Sequence, residues 1–221
     1  MNLYIDLSDK DVKVAGVGIG DIGWKELPVN PLEMKEDKLV ILSHGEIDRI
    51  KRGYYDYIVS CFNDIIFKDK SVYFIACDTG KILADSTFKK GAKEVLAYKQ
   101  KFLFLTDERY SPENDPFLKV CFYPVRKTIE AFLKNGVNEA IKAHKLATEE
   151  AKSFIDELAK VNESEAMVVD SFIDWNNDNL VGFSKFAVAE IPEIVWAFII
   201  VVPVLLSTFS QILEKLRGVT K

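Results

Sequence analysis

The sequence predicts an α/β fold in which a mainly parallel sheet is flanked by helices, with an apolar helix at the C-terminal end. Two short apolar runs, residues 39–42 (LVIL) and 71–76 (SVYFIA), are rich in β-branched or aromatic side chains. Strands buried on both faces have this composition. Helical patterns separate and follow these runs, and such an alternation is typical of α/β proteins with parallel sheets.

The first segment, residues 3–17, alternates loosely and ends in closely spaced glycines. This pattern predicts a short strand or hairpin followed by a loop. Pro28 and Pro31 lie where the phosphate-binding helix of a dinucleotide site would begin. We therefore expect the run AGVGIGDIG (15–23) to be a glycine-rich turn.

The spacing of apolar residues predicts the elements that lie between and after the two apolar runs. Between the runs, residues 46–67 carry apolar side chains at helical intervals, interrupted by Gly53, and predict a helical crossover. After Cys77, residues 79–91 predict a helix that ends near Gly91. Residues 93–105 then return as a strand.

The second half of the domain is expected to be helical. After a polar loop at 106–116, apolar residues between 117 and 158 suit amphipathic helices that break near Asn135 and Gly136. Residues 161–183 are acidic and rich in asparagine, which predicts a connecting segment with at most a short helix. The expected organisation is an α/β domain over 1–160, a connecting segment over 161–186 and an apolar helix within 187–221.

Composition narrows the class of protein. The chain has 221 residues, of which 48% are hydrophobic and 29% charged, as in folded globular proteins. A net charge of -5 with scattered basic residues argues against a nucleic-acid partner. Three cysteines without paired spacing and an acidic N-terminus indicate a reducing, cytoplasmic location. With two histidines and no CxxC, we expect no metal and no cofactor.

Candidate catalytic residues directly follow the two apolar runs. His44 and Gly45 follow the first, and Cys77 follows the second. Because the carboxyl ends of neighbouring parallel strands open onto one crevice, we expect His44 and Cys77 to meet there. An imidazole can take the proton of a thiol nucleophile and later protonate a leaving amine. The N–H groups of Gly45 and Cys77 are then a candidate oxyanion hole.

The same residue types also have structural roles. A cysteine often packs as a small hydrophobe, which is the role expected for Cys61 and Cys121 and the alternative for Cys77. His144 lies among lysines and is expected to be solvated. Asp78 is expected to act as a turn or cap residue.

Four segments in order carry a resemblance to a known family: LVILSHG, VYFIACDTG, LADSTFKKGAKEVLAY and FLKNGVNEAIKAHKLA. Together they resemble the caspase-like fold of the CHAT-type, clan CD cysteine peptidases, relatives of caspases, gingipains, separase and legumain. The resemblance implies an endopeptidase with a His44–Cys77 dyad, a thioacyl-enzyme intermediate and a protein or peptide substrate.

The C-terminal part contains an uncharged run of 20 residues, 194–213. At 1.5 Å per residue, such a helix covers roughly 30 Å, enough to span a bilayer core. Trp196 and Pro203 suit a membrane helix, whereas the polar side chains of its second half suit a buried or partner-binding helix. A membrane anchor for a cytoplasmic catalytic domain and a packed helix both remain open.

Three classes of function are compatible with these patterns. The first is a cysteine endopeptidase of caspase or CHAT type. The second is a catalytically inactive caspase-like interaction module that is anchored or assembled through its C-terminal helix. The third is a small-molecule-binding, flavodoxin-like domain. The sequence leaves the substrate, an activating partner and the oligomeric state open.

Overall fold

The computed structural model describes residues 2–6, 37–52, 56–111 and 114–185, and this part of the chain is α/β. A five-stranded sheet is formed by β1 (Asn2–Asp6), β2 (Lys38–Leu42), β6 (Ser71–Ile75), β7 (Glu94–Tyr98) and β8 (Leu180–Ser184), in this spatial order. Strands β1, β2, β6 and β7 are parallel, and β8 is antiparallel to β7. The predicted α/β class with a mostly parallel sheet is therefore confirmed.

A second, three-stranded antiparallel sheet contains β3 (His44–Glu46), β4 (Arg49–Arg52) and β5 (Asp56–Ser60). The helices are α1 (Leu83–Lys89), α2 (Pro116–Asn135), α3 (Val137–Lys152), α4 (Ile155–Val161) and α5 (Glu163–Asn179). A short 3-10 turn at Asp64–Phe67 precedes β6. The predicted helices on either side of Gly136 are confirmed as α2 and α3.

Strands β2, β6 and β7 are buried on both faces because their alternate residues enter two cores. On β2 and β6, Val40, Leu42, Tyr73 and Ile75 pack with helices α2 to α5. Their neighbours Leu39, Ile41, Val72 and Phe74 pack with α1 and the small sheet. This burial explains why the strands appear in the sequence as continuous apolar runs.

The helical crossover predicted for residues 46–67 is wrong, because this segment forms β4 and β5 and the end of β3. Ile50 and Val59 lie opposite each other on β4 and β5, and both are buried. By contrast, Ile47, Phe62 and Ile65, which completed the helical pattern, are exposed. Apolar residues in a short segment fit either period, and here cross-strand pairing decides the outcome.

The connecting segment predicted after residue 160 is instead a long helix and a strand. Asn162 caps α5 by accepting a hydrogen bond from the N–H of Glu165, and Ala166, Val169 and Ile173 are buried. Strand β8 then completes the sheet beside β7. The described residues up to Lys185 belong to one compact unit.

Two sequence predictions lie outside the described residues: the glycine-rich turn at 15–23 and the apolar helix at 194–213. Within the described ranges, none of the helices is both long and apolar enough to cross a bilayer. The strand predicted for 93–105 ends at Tyr98, and the chain continues without regular structure.

Candidate active site

His44 and Cys77 each follow one of two neighbouring parallel strands. Strands β2 and β6 pair in register up to Leu42 and Ile75, and the N–H of Ser43 extends this pairing to the Ile75 carbonyl at 3.2 Å. Both candidate residues lie two positions beyond the last pair. The carboxyl ends of β2 and β6 therefore place the backbones of His44 and Cys77 at the same edge of the sheet.

Gly45 brings the two turns into direct contact. A Cβ atom on Gly45 would lie 2.9 Å from the Cys77 nitrogen and closer still to the Cys77 carbonyl oxygen. Backbone atoms cannot move aside as the end of a side chain can, so only glycine allows this approach. The turn that carries His44 is thus fixed against the backbone of the candidate nucleophile.

The His44 side chain is exposed and belongs to the small sheet. It lies opposite Lys51 on β4, which in turn lies opposite Tyr57 on β5. Residues directly opposite one another share a sheet face. Lys51 forms an ion pair with Glu46, and the Tyr57 ring lies 5.3 Å from the Lys51 ammonium. His44 therefore stands on the polar, charged face of the small sheet, whereas its neighbour Gly45 faces the Cys77 turn from the opposite face.

The turn after Cys77 is held against the end of β7. Asp78 has φ 61°, a left-handed conformation, and its N–H donates to the Gln100 carbonyl at 3.1 Å. The N–H of Gly80 donates to the Tyr98 carbonyl at 2.8 Å. Asp78 also pairs with Lys81 at 2.6 Å, which agrees with the turn role expected for it.

Cys77 is half-buried, and the groups around it shift the pKa of its thiol in opposite directions. Burial raises the pKa of the Cys77 thiol above its ordinary value, while the backbone N–H of Phe102, as a donor to the sulfur, lowers it. The Asp78 carboxylate raises the pKa further, and the Lys101 ammonium lowers it. Because the net direction is upward, the thiol needs a base to become a nucleophile at neutral pH.

The other two cysteines are packed away from this turn. Cys121 is buried in α2, and its burial raises the pKa of its thiol to about 12. Cys61 follows β5 and packs beside the core of the small sheet, and burial raises its pKa as well. Both positions agree with the packing role expected from the sequence.

The prediction that His144 is solvated is wrong, because its ring is buried in α3 with 1% of the residue exposed. Its Nδ1 lies 2.6 Å from the Thr128 hydroxyl, and the Tyr98 ring packs against it at 6.2 Å. His144 is part of the core on the α2 side of the sheet. Because its ring is enclosed in this core, we assign His144 no catalytic role.

Sequence reasoning missed the residues of α5 that contact the candidate site indirectly. Trp175 and Asn176 hydrogen-bond the chain on either side of Phe102, at Lys101 and Leu103, and the Phe102 backbone lowers the pKa of the Cys77 thiol. Their segment was interpreted as a connector, so its side chains had no expected neighbours. The helical spacing of the apolar residues Ala166, Val169 and Ile173 was the feature of the sequence that could have predicted this helix.

Within the described part of the chain, no cluster of three or more His, Cys, Asp or Glu side chains is arranged to hold a metal ion. No protein-family model matches this chain, and the comparison with curated proteins yields no match. The functional argument therefore depends on the geometry around Cys77.

Proposed function

We propose that the protein is a cysteine endopeptidase of the caspase and CHAT type, with Cys77 as nucleophile and His44 as general base. The observation that supports this most directly is the packing of Gly45 against the Cys77 backbone. This contact joins two turns that are far apart in sequence and carry complementary chemical groups. The mostly parallel sheet and its order of elements are compatible with the caspase-like fold.

The chemistry begins with a protonated thiol, because burial raises the pKa of Cys77. His44 takes the thiol proton as the sulfur attacks the carbonyl carbon of the scissile peptide bond. The carbonyl oxygen becomes an oxyanion, which the N–H groups of Gly45 and Cys77 stabilise. The imidazolium then protonates the leaving amine, and a thioacyl-enzyme remains. Water, deprotonated by His44, releases the acyl group and regenerates the thiol.

The second candidate is a catalytically inactive caspase-like interaction module. The raised pKa of Cys77 favours it, since a thiol that stays protonated is a poor nucleophile. The exposed Ile47 and Ile82 also favour it: they flank the same region, where the N–H of Ile82 donates to the Ile47 carbonyl. The two functions differ in whether His44 changes the reactivity of Cys77.

A thiol-reactive peptide probe tests the proposal. The full chain is incubated with peptidyl acyloxymethyl ketones, and the labelled cysteine is identified by mass spectrometry. We expect Cys77 to be labelled, and we expect His44→Ala to slow the reaction by about a hundredfold or more, the range of a lost general base. Cys61 is the internal control, because it is also partly exposed but has no histidine turn beside it.

Equal labelling of Cys61 and Cys77 that is unaffected by His44→Ala would reject the peptidase. A circular dichroism spectrum like that of the wild-type protein must accompany each variant. Because the His44 side chain is exposed, His44→Ala should leave the fold intact.

A further inference from the structure

The turn that follows Cys77 contains a fully buried hydroxyl, that of Thr79. This hydroxyl donates to the Ala76 carbonyl at 3.0 Å. Ala76 lies beyond the residues of β6 that pair with β2 and with β7, so the hydroxyl takes the place of a strand partner for its carbonyl. Burial of a hydroxyl or a carbonyl is costly unless its hydrogen bond is made. The contact between Thr79 and Ala76 therefore satisfies both groups.

The position of Thr79 is itself fixed by the residues on either side of it. The N–H of Asp78 donates to the Gln100 carbonyl at 3.1 Å, and the N–H of Gly80 donates to the Tyr98 carbonyl at 2.8 Å. A Cβ atom on Gly80 would lie 2.8 Å from the Tyr98 carbonyl carbon, so this approach to the end of β7 requires glycine. The hydroxyl of Thr79 thus acts from a backbone that is held on both sides.

The hydrogen bond to Ala76 affects Cys77 because the Ala76 carbonyl and the Cys77 N–H belong to one peptide group. A trans peptide group is planar, so its C=O and N–H point in opposite directions. Fixing the Ala76 carbonyl on Thr79 therefore also fixes the direction of the Cys77 N–H. Gly45, whose N–H is the other proposed oxyanion donor, lies against this group: a Cβ atom on Gly45 would be 2.9 Å from the Cys77 nitrogen.

We propose that Thr79 is a positioning residue that orients the Cys77 N–H as a donor to the oxyanion. It acts through the peptide group between Ala76 and Cys77 and not on the thiol. The catalytic meaning of this role rests on the proposed peptidase function, whereas the orientation of the peptide group is independent of it. An oxyanion forms only when the sulfur attacks a carbonyl carbon. Thr79 should therefore affect acyl transfer to Cys77 and leave its alkylation unchanged.

The test compares two reactions of Cys77 in the full chain. In acylation by p-nitrophenyl acetate, the sulfur bonds to the acetyl carbon through an oxyanion, p-nitrophenolate leaves, and a thioester remains. In alkylation by iodoacetamide, the sulfur displaces iodide and no oxyanion forms. In both reactions the thiol proton passes to His44, the proposed base. Mass spectrometry gives the rate constant of each reaction at Cys77, and their ratio cancels the thiolate fraction.

Thr79→Val and Thr79→Ser form a matched pair, because the first replaces the hydroxyl with a methyl group and the second keeps the hydroxyl. We expect the ratio of acylation to alkylation at Cys77 to fall about tenfold in Thr79→Val, a part of the effect of losing one oxyanion donor. Thr79→Ser should retain the wild-type ratio. Thr87→Val is the control, since it also removes a fully buried threonine hydroxyl, but one that donates to Asp64 at 3.3 Å. It should leave the ratio unchanged.

The direction of the Cys77 N–H is measured separately, as its ¹H–¹⁵N residual dipolar coupling in protein labelled at cysteine and assigned with Cys77→Ser. We expect Thr79→Val to change this coupling and Thr79→Ser to keep it, with the couplings of Cys61 and Cys121 as internal references. If Thr79→Val does not fold, Thr79→Ala takes its place, because it differs from Thr79→Ser only by the hydroxyl oxygen.

An unchanged ratio at Cys77 in the variant without the hydroxyl would overturn the role of Thr79 and leave the peptidase standing. A wild-type ratio at Cys77 no higher than that at Cys61 would reject the oxyanion hole and with it the peptidase. The dipolar coupling would then decide alone whether Thr79 orients the peptide group.

Discussion

Gly45 shows how one residue type can create a candidate site. The sequence singled out Gly45 because its N–H is a candidate donor of the oxyanion hole. In the fold the close approach is made to Cys77 itself, since a Cβ at position 45 would overlap its backbone. Its role in an oxyanion hole stays a prediction, and only the three-dimensional register of β2 and β6 reveals what Gly45 approaches.

His144 shows the opposite case, in which sequence neighbours mislead. Its flanking lysines suggested solvent, but Ala140, His144, Ala147 and Ala151 share the buried side of α3. The Thr128 hydroxyl donates to the Pro124 carbonyl, so it accepts from His144, which makes Nδ1 the protonated nitrogen. Among the described residues, Nε2 has no hydrogen-bond partner. Burial lowers the pKa of His144 to about 4.

This burial predicts a loss of stability in acid. Between pH 6.5 and 4 the unfolded chain binds a proton at residue 144 while the folded chain does not, so stability falls as the pH falls. From pH 7 to pH 5 the contribution is about 2 kcal/mol. Urea unfolding should show that His144→Gln lacks this part of the decrease. In His44→Gln, which changes the exposed histidine, the decrease should persist; equal decreases in all three proteins would contradict the assignment.

At the scale of elements, the sequence predicted the strands that are buried on both faces. In strands β2, β6 and β7, every residue that enters either core is apolar. The resulting continuous apolar run fits a buried strand better than any other periodic pattern. The strands of the small sheet were not predicted, because they bury only alternate residues such as Ile50 and Val59. Helix α5 was not predicted, because its acidic and amide side chains outnumber the few apolar residues on its buried side. Elements that are short, or that are buried on only one side, depend on tertiary contacts, and the hydrophobic periodicity of the sequence does not reveal these contacts.

Neighbouring valines on α5 test whether this helix belongs to the core. Val169 is fully buried, whereas Val168 is 38% exposed. Val169→Ala should lower the free energy of unfolding by about 2 kcal/mol, because two methyl groups leave a packed site. Val168→Ala should change it by less than about 0.5 kcal/mol. Both substitutions gain the same helix propensity, so the difference isolates burial. Equal effects would mean that α5 does not pack as described.

At the scale of the whole molecule, one compact unit ends at Lys185. Within it, strand β8 extends the sheet beside β7, and both faces of β2, β6 and β7 are covered by residues that precede Lys185. The domain boundary expected near residue 160 would remove α5 and β8, including Asn176 and the buried face of Val169 and Ile173. The compact unit ends at Lys185 instead.

Two truncations separate these boundaries and test the membrane proposal. A chain ending at Lys185 should remain folded and soluble, because its sheet and both cores are intact. A chain ending at residue 160 should aggregate, because the β7 edge and the α5 binding surface become exposed. The full chain carries the uncharged run 194–213. If this run is a membrane anchor, the full chain should sediment with membranes and resist carbonate extraction, since returning that apolar area to water is costly. A soluble full chain together with an aggregating 1–185 fragment would show instead that the run packs within the protein, which would remove the membrane anchor and leave the His44–Cys77 argument unchanged.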